Sequence, residues 1–217
     1  MDIVGLQHAI GVIEDGQFGP ASKAALIAAL SNRNAPAATP ADIVVVASRL
    51  GASLAQLRAV ANVESSGGGF DLQGRPKILF ERHLFFRQTQ GRYGVTSYSS
   101  PDGGGYAESS WGKLTDACAR DPEAALGACS WGKFQVLGLY WSSFGYASVW
   151  ELAHSLTLGE AAHYELFARF IEHNNLKDEL RSVSSNPEDC RAFASGYNGK
   201  GYREFSYHTR IAKWMAP

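Results

Sequence analysis

One carboxylate stands at the end of an apolar helical pattern, where a charge is unfavourable. Leu54, Leu57, Ala61 and Glu64 follow one another at spacings of three, four and three, so they share one helix face, and Ser53 is a candidate N-cap. Desolvation on such a face favours the protonated form of a carboxyl group. A glutamic acid that keeps its proton near neutral pH can act as a general acid. The simpler interpretation is a solvated glutamate in a frayed last turn.

Two other segments combine glycine turns with amide and hydroxyl groups. Residues 130–136 read Ser-Trp-Gly-Lys-Phe-Gln-Val, and residues 193–199 read Phe-Ala-Ser-Gly-Tyr-Asn-Gly. A glycine lets a backbone approach a ligand closely, and the amides of Gln135 and Asn198 can both donate and accept hydrogen bonds. The structural interpretations are an ordinary helix start for the first segment and a helix C-cap for the second. Either structural role is compatible with ligand binding.

Taken in order, these segments resemble the lysozyme-like superfamily. Goose-type lysozymes and soluble lytic transglycosylases share three motifs, which are Glu-Ser on a helix, Gly-x-x-Gln-Val/Ile and Ala-x-x-Tyr-Asn-Gly. Residues 64–65, 132–136 and 194–199 match these motifs in the same order. Each match alone is weak, but the ordered set is fairly specific.

A closer resemblance covers residues 40–217, which look like the N-acetylmuramidase family common in phage endolysins. The matching stretches are residues 64–70, 78–83, 130–132 and 197–199. The resemblance implies a mainly α, lysozyme-like helical domain with at most a small β-sheet. It also implies an endolysin that cleaves the β-1,4 glycosidic bond between N-acetylmuramic acid and N-acetylglucosamine in bacterial peptidoglycan.

The same resemblance implies roles for residues within the motifs. Glu64 would protonate the leaving glycosidic oxygen. Ser65 would lie in the substrate site, and Gln135 would hydrogen-bond an N-acetyl group or the sugar. Tyr197 would lie near Glu64 and help to hold its proton in place. Asn198 would offer a donor and an acceptor to the glycan or to the loop after Glu64.

A second catalytic carboxylate is less well defined by the sequence. Hydrolysis with inversion needs a base roughly 6.5–9.5 Å from the acid, to hold a water on the far face of the sugar. Glu81 follows an apolar run and precedes Arg82 and His83, so it is either this base or one half of a structural ion pair. Asp71, just after the glycine turn, reads as a surface or capping residue. Without a base, internal attack by the muramic acid would leave the 1,6-anhydro product of a lytic transglycosylase.

The bulk composition argues against several other classes of protein. A formal net charge of -1 gives no reason to expect nucleic acid as a partner. No apolar run reaches the roughly 18 residues of a transmembrane helix, and the N-terminus lacks the features of a signal peptide. We therefore expect no stable membrane insertion, and we also expect a monomer. The resemblance to phage endolysins implies a protein that is made in the bacterial host cytoplasm and binds periplasmic peptidoglycan glycan strands after release.

The histidines and cysteines do not predict a metal or a covalent nucleophile. The six histidines are scattered and lack metal-ligand spacing. The three cysteines also lack paired close spacing and read as buried free thiols, with a bridge between Cys118 and Cys129 left open. No Ser-His-Asp or Cys-His set is evident, which weighs against an amidase or a peptidase. We expect no metal and no cofactor.

The chain is predicted to have two parts. Residues 1–35 form a truncated peptidoglycan-binding-like helical unit and linker, and residues 36–217 form the catalytic domain. The first part resembles the central portion of a peptidoglycan-binding repeat through Leu6, Gln7 and residues 15–20, so wall binding by this unit stays open. A truncated module would instead pack on the catalytic domain.

Helical patterns dominate the second part. Residues 31–40 read as a linker, residues 77–81 as a strand or extended segment, and residues 91–110 as a long loop of the kind that is often functional. Residues 202–214 fit a packed terminal helix better than a membrane-surface helix. The helical patterns lie near residues 41–50, 54–65, 119–127, 131–138, 148–157, 160–174, 187–195 and 203–214.

Two rivals from other functional classes remain at this point. The first is a non-catalytic wall-binding module in which Glu64 is only structural. It predicts retention on peptidoglycan sacculi without loss of turbidity. The second is a chitinase on a related fold, against which the Tyr-Asn-Gly segment and the N-terminal resemblance favour peptidoglycan.

Overall fold

Helices dominate the structure, as the sequence predicts. The computed structural model describes residues 1–65, 68–93 and 109–216, and these contain twelve α-helices and one small sheet. The α-helices are α1 (Ile3–Ala9), α2 (Pro20–Ala29), α3 (Pro40–Leu50), α4 (Leu54–Ser65), α5 (Arg82–Gln88), α6 (Ser110–Cys118), α7 (Pro122–Gly127), α8 (Val149–Ser155), α9 (Glu160–His173), α10 (Lys177–Ser182), α11 (Arg191–Asn198) and α12 (Tyr207–Met215). The strands are β1 (Ile78–Phe80), β2 (Cys129–Trp131) and β3 (Val136–Leu137). Short 3-10 helices cover Gly138–Tyr140, Leu156–Leu158, Pro187–Cys190 and Lys200–Arg203.

Helix α4 carries Glu64 in its last turn. A capping box sets its start, because the Ser53 hydroxyl accepts the Gln56 N–H at 3.2 Å and the Gln56 side chain accepts the Ser53 N–H at 2.8 Å. Leu57 and Ala61 are buried on the apolar face, and the helix packs against α12. The predicted bounds, cap and buried face of this helix are therefore confirmed.

The sheet is antiparallel in the order β1-β2-β3, with Ile78 opposite Trp131. The prediction of a helix over residues 131–138 is therefore wrong. Gly132 and Gln135 have φ angles of 68° and 49°, in the left-handed region that an α-helix does not use. The chain turns back at these residues and pairs β2 with β3. A short apolar run fits a strand as well as a helix, so the pattern alone does not separate them.

Helices α5 and α6 are not predicted by the sequence patterns. Helix α6 begins inside residues 91–110, where a loop is predicted, and the Ser109 side chain caps it by accepting the Gly112 N–H at 3.5 Å. Most of that predicted loop, residues 94–108, lies outside the described residues. The extended interpretation of residues 77–81 is confirmed by β1.

The segment predicted as a linker is bonded to the rest of the protein at both of its ends. The Asn32 N–H donates to the Gly74 carbonyl at 2.8 Å, and the Asn32 side chain donates to the Thr157 carbonyl at 2.8 Å. The Pro36 carbonyl accepts the Glu160 N–H at 2.9 Å. These bonds hold the segment against the turn before β1 and the start of α9. The division of the chain between residues 35 and 36 stays a prediction.

The hydrophobic core is continuous. One cluster of buried apolar side chains includes Leu6 and Leu26 from the first two helices as well as Leu57 and Phe167. The three cysteines are buried free thiols, as the sequence predicts. The first two helices therefore pack on the same core as α4.

Among the described helices, none is by itself both long and apolar enough to cross a membrane. Helices α3 and α4 together have the length and apolar composition of a membrane span, but they are bent by 106° relative to each other.

Candidate active site

A cleft of about 870 Å³ opens beside the C-terminal end of α4. Strand β1, the turn between β2 and β3, and helices α11 and α12 supply the other walls. Ligand sites commonly have volumes in this range. All six residues that the sequence proposes as site residues line this cleft, namely Glu64, Ser65, Glu81, Gln135, Tyr197 and Asn198.

Glu64 is a carboxyl group of this cleft whose pKa is strongly shifted. Burial raises its pKa from 4.5 to about 7, against the opposing effects of a hydrogen bond from Tyr207 and the positive charge of Arg210. A carboxyl group with this pKa is about half protonated at neutral pH. It can therefore hold a proton for transfer at the pH where its ordinary counterpart is fully ionised.

Tyr207, which the sequence analysis misses, is the direct partner of Glu64. Its hydroxyl donates a hydrogen bond to Glu64 Oε1. Burial and the nearby carboxylate keep the pKa of this phenol well above its ordinary value, so Tyr207 retains its proton and remains a donor. No motif contains this residue. The only signal in the sequence is its place at the start of the amphipathic terminal helix.

Tyr197 lies behind Tyr207 and does not make the contact that was expected of it. Its hydroxyl donates to the Phe134 carbonyl at 2.6 Å, instead of holding the proton of Glu64. The rings of Tyr197 and Tyr207 are stacked, with centroids 6.2 Å apart and 14° between their planes. Tyr197 therefore supports the ring that contacts the carboxyl group while it also lines the cleft.

Arg210 ties helix α12 to the end of α4. Its guanidinium donates to the Val63 carbonyl at 2.8 Å. Carbonyls in the last turn of a helix lack partners within the helix, so this bond satisfies one of them. The contact also keeps a positive charge near Glu64, which explains its opposing effect on the pKa of that group.

The glycine turn that follows α4 packs on a buried imidazole. A Cβ at Gly132 would lie 2.6 Å from His163 Nδ1, and a Cβ at Gly69 would collide with the same ring. His163 Nδ1 accepts the Lys133 N–H at 2.9 Å, so Nε2 carries the proton and donates to the Leu156 carbonyl at 2.9 Å. Burial lowers the pKa of His163 to about 4, which keeps the ring neutral. Close packing on His163 thus requires glycine at position 69, in the turn after α4, and at position 132, in the turn between β2 and β3.

Glu160 holds the same glycine turn from the start of α9. Its Oε1 accepts the Gly69 N–H at 2.7 Å and contacts Lys133 Nζ at 3.1 Å. Burial alone would raise its pKa, but the hydrogen bond from Gly69 and the charge of Lys133 outweigh burial and lower it. No motif in the sequence contains Glu160. Its only signal is an acidic residue in the first turn of a helix.

The other proposed substrate-binding side chains contribute to the wall in different ways. The Ser65 hydroxyl is buried and donates to the Ala61 carbonyl at 3.0 Å. The Gln135 side chain donates to the Gly132 carbonyl at 2.8 Å and so closes the turn between β2 and β3. Asn198 is exposed at the end of α11 and faces the cleft.

Asp71 and Glu81 are two further carboxylates among the described residues that line the cleft. Asp71 accepts the backbone N–H groups of Gln73 and Arg75 at 2.9 and 3.0 Å, and the Arg75 side chain binds it at 2.7 Å. Asp71 is therefore a capping residue, as predicted. The Glu81 side chain is 15% exposed and lies 3.6 Å from His83 Nδ1. Glu81 lines the cleft together with Glu64.

The residues that the structure describes contain no candidate metal centre. Nowhere in residues 1–65, 68–93 and 109–216 do three His, Cys, Asp or Glu side chains come close enough together to hold a metal ion.

Comparison with known proteins agrees with the motifs and the fold. The sequence model of the N-acetylmuramidase family matches residues 53–216. The crystal structure of Burkholderia AP3 phage endolysin is similar, with a TM-score of 0.72 and 33% sequence identity, over 98% of this chain and 82% of that chain. No curated protein matches the chain. The chain has a lysozyme-like, mainly α fold and belongs to the N-acetylmuramidase family of phage endolysins, which are peptidoglycan hydrolases.

Proposed function

We propose that this peptidoglycan hydrolase is a muramidase that cleaves the β-1,4 bond between N-acetylmuramic acid and N-acetylglucosamine, with Glu64 as its general acid. The observation that carries the proposal is the pKa of about 7 of a carboxyl group that lines the cleft. Protonated Glu64 gives its proton to the glycosidic oxygen while the bond from that oxygen to the muramic acid C1 breaks. Tyr207 keeps the carboxyl group oriented during this transfer.

Glu81 is the proposed base. It would take a proton from a water that attacks the same C1, so that the net reaction adds one water across the glycosidic bond. Its position in the cleft supports this role, and Asp71 is the weaker candidate because both of its oxygens already accept hydrogen bonds from Arg75 or its neighbours.

The proposed substrate contacts follow the walls of the cleft. Asn198 and Tyr197 would contact the glycan from α11, and Gln135 would face the N-acetyl group from the turn between the strands. Ser65 would contribute through its position at the floor next to Glu64, since its hydroxyl is already bonded to the helix. Ser65, Tyr197 and Asn198 are carried by helices, and Gln135 by the short turn that joins two paired strands, which keeps a site well ordered.

Mass spectrometry of the muropeptides released from purified sacculi tests this proposal. The wild type should release products with reducing N-acetylmuramic acid ends, and Glu64→Gln should release none. Glu14→Gln is a matched control, because Glu14 is half-exposed and pairs with an exposed histidine. An active Glu64→Gln variant would overturn the assignment of the general acid.

The same spectra separate the proposal from its rivals. Products lighter by one water, with 1,6-anhydro ends, would identify a lytic transglycosylase and remove the need for a base at Glu81. In that case Glu81→Gln would retain its rate, whereas for a hydrolase we expect a loss of at least about tenfold. Retention of the wild type on sacculi without any release would favour a wall-binding module.

A further inference from the structure

The active-site cleft has a side branch. A second hollow of about 370 Å³ continues from the main cleft, and the two share part of their lining. Glycan strands are linear, so a strand that follows the main cleft leaves the branch empty. The residues that line both hollows mark the fork, and they are Glu81, Ser130, Gln135, Tyr197 and Asn198.

The wall of the branch that α5 provides is basic. His83 and Arg87 are four residues apart, so they lie on one face of α5, while Leu84 is buried beneath them. Arg87 is exposed, and within the described ranges no side chain of the protein bonds to its guanidinium. Val136 forms part of an apolar surface in the same branch. The branch thus combines an exposed guanidinium with an apolar surface.

The main cleft has a different charge pattern. Its two cations are both occupied by backbone carbonyls, because Lys77 donates to Ser65 and Arg210 donates to Val63. The carboxylates of the main cleft suit an uncharged sugar chain and acid-base chemistry. Glu81 lies at the fork and lines both hollows, but at the α5 wall of the branch Arg87 offers a planar, two-pronged donor, which favours a ligand group with a negative charge there.

We propose that the branch binds the peptide substituent of N-acetylmuramic acid, with a peptide carboxylate on Arg87. The inference rests on the proposed function and narrows its substrate to glycan that still carries peptides. N-acetylmuramic acid is the branched sugar of the chain, since its lactyl group carries a peptide with free carboxylates. A forked cavity with its basic wall beyond the fork matches that chemistry in shape and in charge.

Kinetics on two glycan substrates test the proposal. The first is a set of soluble peptide-bearing glycan strands, and the second is the same strands after an amidase has removed the peptides. Amidase cleavage hydrolyses the amide between the lactyl group and the peptide, so the stripped strands lose the peptide with its carboxylates and gain a free lactyl carboxylate next to the sugar ring. We expect the wild type to have a kcat/KM about tenfold higher on the peptide-bearing strands, the effect of one charge-assisted hydrogen bond.

Substitutions at Arg87 test whether its side chain causes the preference for peptide-bearing strands. Arg87→Glu should reduce the ratio of the two kcat/KM values to about one, by lowering only the value for peptide-bearing strands. Arg87→Lys should retain part of the preference for peptide-bearing strands, because lysine keeps the positive charge but lacks the planar guanidinium. Arg33→Glu, an equal charge change at another exposed arginine, should leave the ratio as in the wild type.

Failure of this proposal differs from failure of the proposed function. Equal kcat/KM values of the wild type on both substrates, or an equal loss on both in Arg87→Glu, would overturn peptide binding in the branch. In either case the wild type would still release reducing ends. If the wild type cleaves neither substrate, the muramidase proposal itself fails, and the branch proposal fails with it.

Discussion

Glu64 and Glu160 are two glutamates next to the same glycine turn, and their environments are opposite. Glu64 ends α4 and meets one phenol in a cleft that is open to a ligand. Glu160 begins α9, and its carboxylate is bonded to the Gly69 N–H and to Lys133. The pKa of Glu64 is raised to about 7, whereas that of Glu160 is lowered.

Burial alone does not explain this difference, because burial raises the pKa of both groups. Glu160 has a cation and backbone donors that stabilise its charge, and it also lies at the helix end where a negative charge is favourable. Glu64 lies at the opposite kind of helix end and has one neutral donor in direct contact. The comparison suggests that one carboxylate is arranged for proton transfer and the other for holding the turn beside it.

The largest expected effect is on activity at Glu64. Glu64→Gln should lower the rate of sacculus turbidity loss by about a thousandfold, because the proton donor is removed. The free energy of unfolding at pH 7 should not decrease, since the substitution removes a partly buried charge. Urea unfolding of the same preparation provides that control. If Glu64→Gln is inactive and also unfolded, Glu64 has a structural role like that of Glu160, which would contradict its assignment to proton transfer.

At Glu160 the main expected effect is on stability. Its side chain and that of Lys133 are 12% and 11% exposed, so Glu160→Gln removes the carboxylate that faces a largely buried ammonium. We expect the free energy of unfolding in urea to fall by about 3 kcal/mol. The double variant Glu160→Gln with Lys133→Met should recover part of this loss. Full stability in the single variant would contradict a structural role for Glu160.

The pH dependence of stability should have opposite signs for the two groups. Folded Glu64 keeps its proton between pH 4.5 and about 7 while the unfolded chain loses it, so the free energy of unfolding should fall as pH rises through this window. The total is about 3 kcal/mol. For Glu160 the folded pKa is below 4.5, so its contribution is present above pH 4.5 and is lost as pH falls through the folded pKa.

Urea titrations at several pH values check this pair of slopes. Glu64→Gln should abolish the decline between pH 4.5 and 7, and Glu160→Gln should weaken the loss of stability in acid. Activity of the wild type should also fall as pH rises through about 7, since only protonated Glu64 donates. A wild-type rate that keeps rising above pH 8 would contradict Glu64 as the acid.

The smallest expected effect concerns the hydrogen bond that Tyr207 donates to Glu64. Tyr207→Phe removes a hydrogen bond that lowers the pKa of Glu64, so this pKa should rise further. The alkaline limb of kcat/KM should move to higher pH by about one unit. A decrease in kcat is also expected, because the carboxyl group loses its orientation. An unchanged pH profile would show that Tyr207 is not coupled to the carboxyl group.

Much of the fold and the site could be predicted from local patterns. The spacing of Leu57, Ala61 and Glu64, together with the Ser53 cap, predicts helix α4 with its bounds, and the same spacing indicates a desolvated carboxyl group. Short motifs indicate Gln135 and Asn198, and both line the cleft. These predictions succeed because helix periodicity and capping depend on residues that are close in the chain.

Other features depend on contacts between distant segments and could not be predicted in this way. The turn between β2 and β3 requires positive φ angles at Gly132 and Gln135, and pairing with β1 stabilises it against a helix. Helix α5 is too short for a clear periodic pattern. The sequence indicates that Tyr197 lies near the acid, but only the packing of α12 on α4 brings Tyr207 to that carboxyl group instead.

The sequence by itself determines the family, the mainly helical class and the identity of the carboxyl group that is proposed as the acid. The tertiary structure alone decides which neighbours set the protonation of each glutamate. Tyr207 is 143 residues from Glu64 in the chain, and Gly69 is 91 residues from Glu160. A pKa depends on the dielectric environment and the charges within a few ångströms. Residue order cannot specify those surroundings until the chain has folded.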